Sequence, residues 1–199
     1  FLRGSSDVQL TDLGDRLRAE PGSERGGTLL EQAGTLFEPA SDAERGKRAA
    51  LEEEARSKFG EETCHIGSAM RRISTGRTDE ALWESMSPWC LECGSCSFVC
   101  PTCYCFSLRD RADSNGFLRC RLWDSCQFAS FTLEASGHNP REHRRDRIKR
   151  RFYHKVSAQY FKRDGAAGCV GCGRCVKVCL GTTDMPAVVA AIRKGVWSG

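Results

Sequence analysis

With 199 residues and a formal net charge of +4, the chain has room for one modest domain plus an appendage. Charged residues make up 28% of it, and its longest apolar stretches, such as Pro186 to Ile192, fall far short of the roughly 20 residues that a membrane-spanning helix needs, which excludes a helical span. Thirteen cysteines, an odd number with no secretory segment read ahead of them, speak against a disulfide scaffold and for a reducing compartment, the cytoplasm by default.

The first residue is Phe1 rather than an initiator methionine, and the opening reads as the interior of a domain, so further sequence is expected upstream. From Phe1 to about Pro39 the composition is rich in Gly, Ser and charge, with short apolar groups only at Val8, Leu10, Leu13 and Leu17, which predicts a loosely structured segment. Ala43 to Phe59 reads as a helix, because Leu51, Ala55 and Phe59 recur every fourth residue and Gly60 follows as a left-handed cap. A polar stretch through Gly67 and Gly76 comes next. Asp79 is the expected N-cap of a short helix carrying Leu82, Trp83 and Met86, which stops before Pro88 and delivers the chain into a cysteine-rich loop. Residues 101–168 are expected to be helical rather than stranded. Within them Asn139-Pro140 opens a helix on which Ile148, Phe152, Val156 and Tyr160 form an apolar stripe, with the arginines on the other face. Asp184, followed by Pro186, opens a last helix through Ile192, and no period-two strand is read anywhere.

The chemistry lies in two cysteine runs, Cys90-x2-Cys93-x2-Cys96-x3-Cys100-Pro101 and Cys169-x2-Cys172-x2-Cys175-x3-Cys179, each with four thiolates at the spacing of a cubane iron–sulfur cluster. Three thiolates two residues apart on one tight loop grip three corners of a cube, while the fourth points elsewhere. In two-cluster ferredoxins that fourth cysteine ligates the other cluster. Carried over, one [4Fe–4S] cluster takes Cys90, Cys93, Cys96 and Cys179, and a second takes Cys169, Cys172, Cys175 and Cys100. Zinc prefers separated pairs of cysteines, so a third cysteine two residues on is awkward for a tetrahedral knuckle. Neither half is expected to fold without the metal, because little apolar surface holds these loops. Peptide N–H groups of Gly94, Gly171 and Gly173 are expected to adjust the cluster potentials.

Cys64, Cys103, Cys105, Cys120 and Cys126 are left over. A third cluster from Cys103, Cys105, Cys120 and Cys126 is the less favoured reading, since Cys103 and Cys105 stand too close for easy shared ligation; the favoured one packs these thiols as small hydrophobes near the clusters. Cys64-His65 is a lone pair in a polar loop. Trp83, Trp89, Phe98, Phe106, Trp123, Phe128 and Phe131 are candidates for shielding the clusters, with ordinary core packing as the competing reading. His138, His143 and His154 have no paired carboxylate or nucleophile at a telling spacing. No phosphate loop is present, and Gly171-Cys-Gly-Arg174 lacks the preceding strand of a dinucleotide fingerprint, so no catalytic residue and no flavin or nucleotide site is expected in this chain. From Arg141 to Lys155 eight Lys or Arg stand against two acids; a solvated helix face is favoured, then an acidic protein partner, with nucleic acid last.

Cluster loops that each enter a helix, with a long insert between them, resemble the α-helical ferredoxin domains of succinate dehydrogenase and heterodisulfide reductase iron–sulfur subunits. The resemblance implies a mainly α fold, with residues 1–78 as an N-terminal segment, the remnant of a larger upstream domain, and 79–199 as the dicluster domain. The wording goes further. Cys90-Leu-Glu-Cys-Gly-Ser-Cys-Ser-Phe-Val-Cys-Pro-Thr-Cys-Tyr-Cys-Phe106, Arg121-Leu-Trp-Asp-Ser-Cys126, Gly137-His-Asn-Pro-Arg141, His154-Lys155 and Cys169-Val-Gly-Cys-Gly-Arg-Cys175 resemble the iron–sulfur β subunits of cytoplasmic NiFe hydrogenases (sulfhydrogenases) and their counterpart in anaerobic sulfite reductase. Asp7 to Ala40 also resembles the end of the N-terminal domain of those subunits. The resemblance implies a relay of electrons, in a hetero-oligomer, between a flavoprotein subunit that handles NAD(P)H and a catalytic hydrogenase or reductase subunit. One departure stands out: Leu180 follows Cys179 where the family usually has Pro. The alternatives are a reductase subunit that binds substrate at an open cluster or at Cys126, and a metal-stabilised nucleic-acid-binding module using Arg141 to Lys155.

Overall fold

A computed structural model describes residues 6–60, 64–114, 116–160 and 167–198. The chain divides into two compact units, Phe1–Thr63 and Cys64–Gly199. The division falls earlier than the boundary read at residue 78, because Ile66–Ser74 folds into a helix, α3, that buries Ala69 and Ile73 in the core of the second unit.

In the first unit Val8–Asp12 (β1) and Leu17–Pro21 (β2) pair antiparallel, with Val8 opposite Pro21 and Asp12 opposite Leu17. The Asp12 carboxylate accepts from the Gly14 N–H at 2.7 Å and closes the turn. Glu24–Gln32 (α1) follows, its N-cap Ser23 accepting from the Gly26 N–H. Asp42–Ser57 (α2) is the helix read over Ala43 to Phe59; a capping box between Ser41 and Glu44 starts it and Lys58, not Gly60, caps its end. The segment expected to be loose is therefore ordered from Ser6 onward as a hairpin and a helix, and its first five residues lie outside those described.

The second unit is built on four helices. α3, Glu80–Met86 (α4), Arg144–Val156 (α6) and Met185–Lys194 (α8) enclose a core of Ile73, Trp83, Met86, Ile148, Phe152, Val156, Val188 and Ile192, all nearly inaccessible to solvent. Trp83 lies against Phe152 with ring centroids 6.4 Å apart. The short helices Ser95–Phe98 (α5) and Arg174–Val178 (α7) follow the two cysteine loops and pack on each other. As read, Asp184 caps α8, accepting from the Ala187 N–H at 3.0 Å.

Three expectations need correction. The insert is not wholly helical: Phe106–Asp113 (β3) and Gly116–Trp123 (β4) form an antiparallel hairpin, Phe106 opposite Trp123. α6 starts at Arg144 rather than at Asn139, because the Asn139 carboxamide is committed to the preceding loop, where its oxygen accepts from the Thr132 hydroxyl and the Arg141 N–H. And α6 does not turn all its cations to water: Arg147, Arg151 and Lys155, an i, i+4, i+8 row, are buried. The fold is thus helical with two small hairpins. Among the described residues no helix is long and apolar enough to cross a membrane.

Candidate metal centre

The two cysteine loops repeat one local device. Gly94 and Gly173, each just after the second cysteine of its run, take φ of 72° and 71°, a left-handed conformation that turns the loop directly into α5 or α7. The third cysteine, Cys96 or Cys175, then rides on the new helix and lines a cavity together with the first. The loops also touch: Gly181, two residues beyond Cys179, presses on the backbone of Trp89, next to Cys90. Leu180, the residue that stands where proline is usual, is exposed and borders the same cavity as Cys179.

The fourth cysteines cross over. Cys179 shares a cavity with Cys90, Cys93 and Cys96, closed on one side by Gln127 and Thr183. Cys100 shares a second cavity, of about 120 Å³, with Cys169, Cys172 and Cys175. Among the described residues no three His, Cys, Asp or Glu side chains are grouped so as to hold a single metal ion. The thiols line voids instead of meeting at a point, which suits a multi-iron cube better than tetrahedral zinc.

The surroundings of the larger cavity suit an anionic group. Arg151 and Lys155 line it, both nearly inaccessible. The Arg151 Nη1 donates to the Thr183 carbonyl at 3.2 Å, while its Nε is buried with no hydrogen-bond partner. Burial works against the Arg151 charge, but nearby Cys96, Cys175, Cys103 and Cys126 more than offset it and its pKa rises. Lys155 donates to the Thr102 hydroxyl at 2.6 Å, and that hydroxyl donates to the Gly168 carbonyl at 2.7 Å, so the start of the second loop is tied to the residues after Cys100. A cube held by four thiolates carries net negative charge, and a buried guanidinium with an unused N–H is a partner that such a group satisfies. In the other cavity the first loop is held from α6: Glu92 pairs with Arg144 at 3.0 Å and with buried Arg147, and Gln127 donates to the Arg147 carbonyl at 3.0 Å. Burial pushes the Cys90, Cys96 and Cys169 thiols up, whereas hydrogen bonds from Ser95 hold the exposed Cys93 down. The donor sets fit iron–sulfur clusters in both places.

The leftover cysteines do not form one group. The Cys103 thiol hydrogen-bonds Cys100, pulling Cys100 down to about 4 against its burial, and is itself pushed up. The Cys105 thiol bonds Cys126 in the same way, holding Cys126 down to about 6. Cys120 sits in β4 opposite Arg109, and Cys64 lines the larger cavity. Among the described residues, none of the seven aromatic side chains proposed as shields lines either cavity: Trp83 belongs to the core, Phe106 and Trp123 stand exposed in the hairpin, and Phe128 packs on Phe98 and against Gly94. The basic stretch is spent on internal pairs as well, Arg145 with Glu84 at 2.8 Å and Lys149 with Glu80.

Comparison with known proteins fits this geometry. Residues 89–183 match the 4Fe-4S dicluster domain. The whole chain is also similar to sulfhydrogenase 2 subunit beta of Pyrococcus furiosus, 30% identical over 197 residues that make up 98% of this chain. The chain spans 58% of the length of that relative. The likeness to iron–sulfur hydrogenase β subunits read from the motifs is thereby borne out, and it extends into the first unit. No solved structure matches the chain.

Proposed function

We propose that this chain is a non-catalytic wire: it holds one [4Fe–4S] cluster on Cys90, Cys93, Cys96 and Cys179 and another on Cys169, Cys172, Cys175 and Cys100, and passes electrons singly between partner subunits. One partner handles NAD(P)H through flavin, and the other is the catalytic subunit of a hydrogenase or reductase in the cytoplasm. The observation that carries the ligand sets is the crossover: each triplet shares its cavity with the fourth cysteine of the other run. Support for the partners comes from the relative, whose name makes it one subunit of a sulfhydrogenase. The clusters supply one-electron redox chemistry, within the broad range of about −700 to +450 mV open to such centres. The protein positions the thiolates and places Arg151 and Lys155 where positive charge favours the reduced form.

Metal analysis tests this. Anaerobically purified protein is expected to carry about eight iron and about eight acid-labile sulfide per chain. Zinc without sulfide overturns the proposal. About twelve of each requires a further cluster among the leftover cysteines.

A further inference from the structure

We infer that Cys64 is an alternative ligand of the second site, taking the fourth iron corner when Cys100 is absent or released. The inference rests on the two-cluster proposal and extends its ligand set. Its basis is a surplus: Cys64, Cys100, Cys169, Cys172 and Cys175 line one cavity, five thiols where a cube offers four corners. Cys64 is held there and not merely passing. It directly precedes His65, the N-cap of α3, and α3 is anchored by fully buried Ala69 and Ile73, while Ile66 lines the same cavity. A second, independent observation points to an anionic occupant: the Nε of Arg151, which lines the same cavity, is buried with no partner. That charge favours a thiolate-bound cube whichever cysteine supplies the last thiolate.

Cys100 is the ligand best able to leave. It alone reaches the site from the first cysteine run, and it has partners waiting in the Thr102 hydroxyl at 3.3 Å and the neighbouring Cys103 thiol. In the exchange the iron–sulfur bond to Cys100 breaks and Cys100 leaves as a thiolate, accepting from Thr102 and the Cys103 thiol. Cys64 loses its proton to solvent and forms the new bond, with no electron transferred. The second cluster thereby becomes independent of the first run.

The test uses the full chain, purified anaerobically, as wild type, Cys100→Ala, Cys64→Ala and the double variant. Iron and sulfide are counted, and iodoacetamide labelling of native protein is mapped by mass spectrometry before and after iron chelation. The expected result is near wild-type iron in each single variant and loss of about half in the double, one of two clusters. Cys64 should be alkylated in native wild type, protected in Cys100→Ala, and reactive again after chelation. Loss of half the iron from Cys100→Ala alone, or retained iron with Cys64 alkylated, overturns the inference. If the double variant does not fold, the labelling pattern of Cys100→Ala decides. Wild-type protein without iron and sulfide would instead sink the two-cluster proposal itself.

Discussion

A Cβ placed on Gly181 would lie 1.7 Å from the Trp89 carbonyl oxygen and 2.9 Å from its carbon, backbone atoms that have nowhere to go. That contact joins the residues after Cys179 to those before Cys90, so it sets how the crossing ligand approaches the first triplet. Gly181→Ala is expected to destabilise the second unit by about 2–4 kcal/mol and to cost the site near Cys179 its iron, read by thermal denaturation and iron counting. Wild-type stability and full iron would show that the loops are not registered by this contact. The eight thiols were legible because ligation fixes their spacing along the chain. Gly181 was not, since its constraint comes from Trp89, a residue remote from it along the chain. Arg151 was hidden for a related reason: periodicity assigns a cation to the wet face, and only the thiol-lined cavity explains why it is inside. Replacing it with neutral Met of similar length removes positive charge that favours the reduced form. The potential of the nearer site should fall by roughly 60 mV, a tenfold change for a one-electron couple. An EPR-monitored redox titration checks this, and an unchanged potential would remove Arg151 from the tuning argument.

At the scale of elements, α6 does two jobs with neighbouring rows. Ile148, Phe152 and Val156 fill the core, while Arg147 pairs with Glu92 of the first cysteine loop and Arg151 and Lys155 line the cavity of the second. The apolar row was visible in the sequence and the second row was not, because both obey the same four-residue spacing. α3 shows the opposite case. Ile66, Ala69, Met70 and Ile73 follow a helical pattern that Gly67 and Gly76 masked, and the helix survives because its apolar face meets α6 and α8. The β3–β4 hairpin was missed although Asn115-Gly116 is a hairpin dipeptide, because its strands carry Arg and Asp on both faces and bury almost nothing. Exposure on both sides means that the hairpin contributes no wall to either cavity. Replacing residues 108–121 with a two-residue turn should therefore leave iron and sulfide unchanged. Loss of either cluster in that variant would show that the hairpin supports the cysteine loops.

At the scale of the whole second unit, what matters is how far its fold depends on metal. The loops alone offered too little apolar surface, which led to the expectation that nothing here folds without clusters. The structure adds a core whose buried members all come from helices, with Cys90, Cys169 and Cys175 of the cysteine runs packed only partly buried against it: α3, α4, α6 and α8 bury Trp83, Phe152 and the aliphatic side chains around them. Truncating Phe152 to Ala, at about 3–5 kcal/mol, should thus be more damaging to helix content than chelating the iron. Burial on this scale stabilises helices without help from ligands, whereas the loops depend on Gly94 and Gly173 turns, on Thr102 and Gln127 hydrogen bonds, and on whatever the thiols bind. Stripping iron with a chelator under reducing conditions should then leave the helical circular dichroism largely in place while opening the loops. Trypsin is the probe, because Arg174 and Lys177 lie in the second loop and α7, and the buried Arg147 and Arg151 lie in α6. Fast cleavage at the first pair with α6 protected is the expected pattern. Simultaneous loss of helicity and cleavage throughout would mean that the clusters hold the core together as well as the loops.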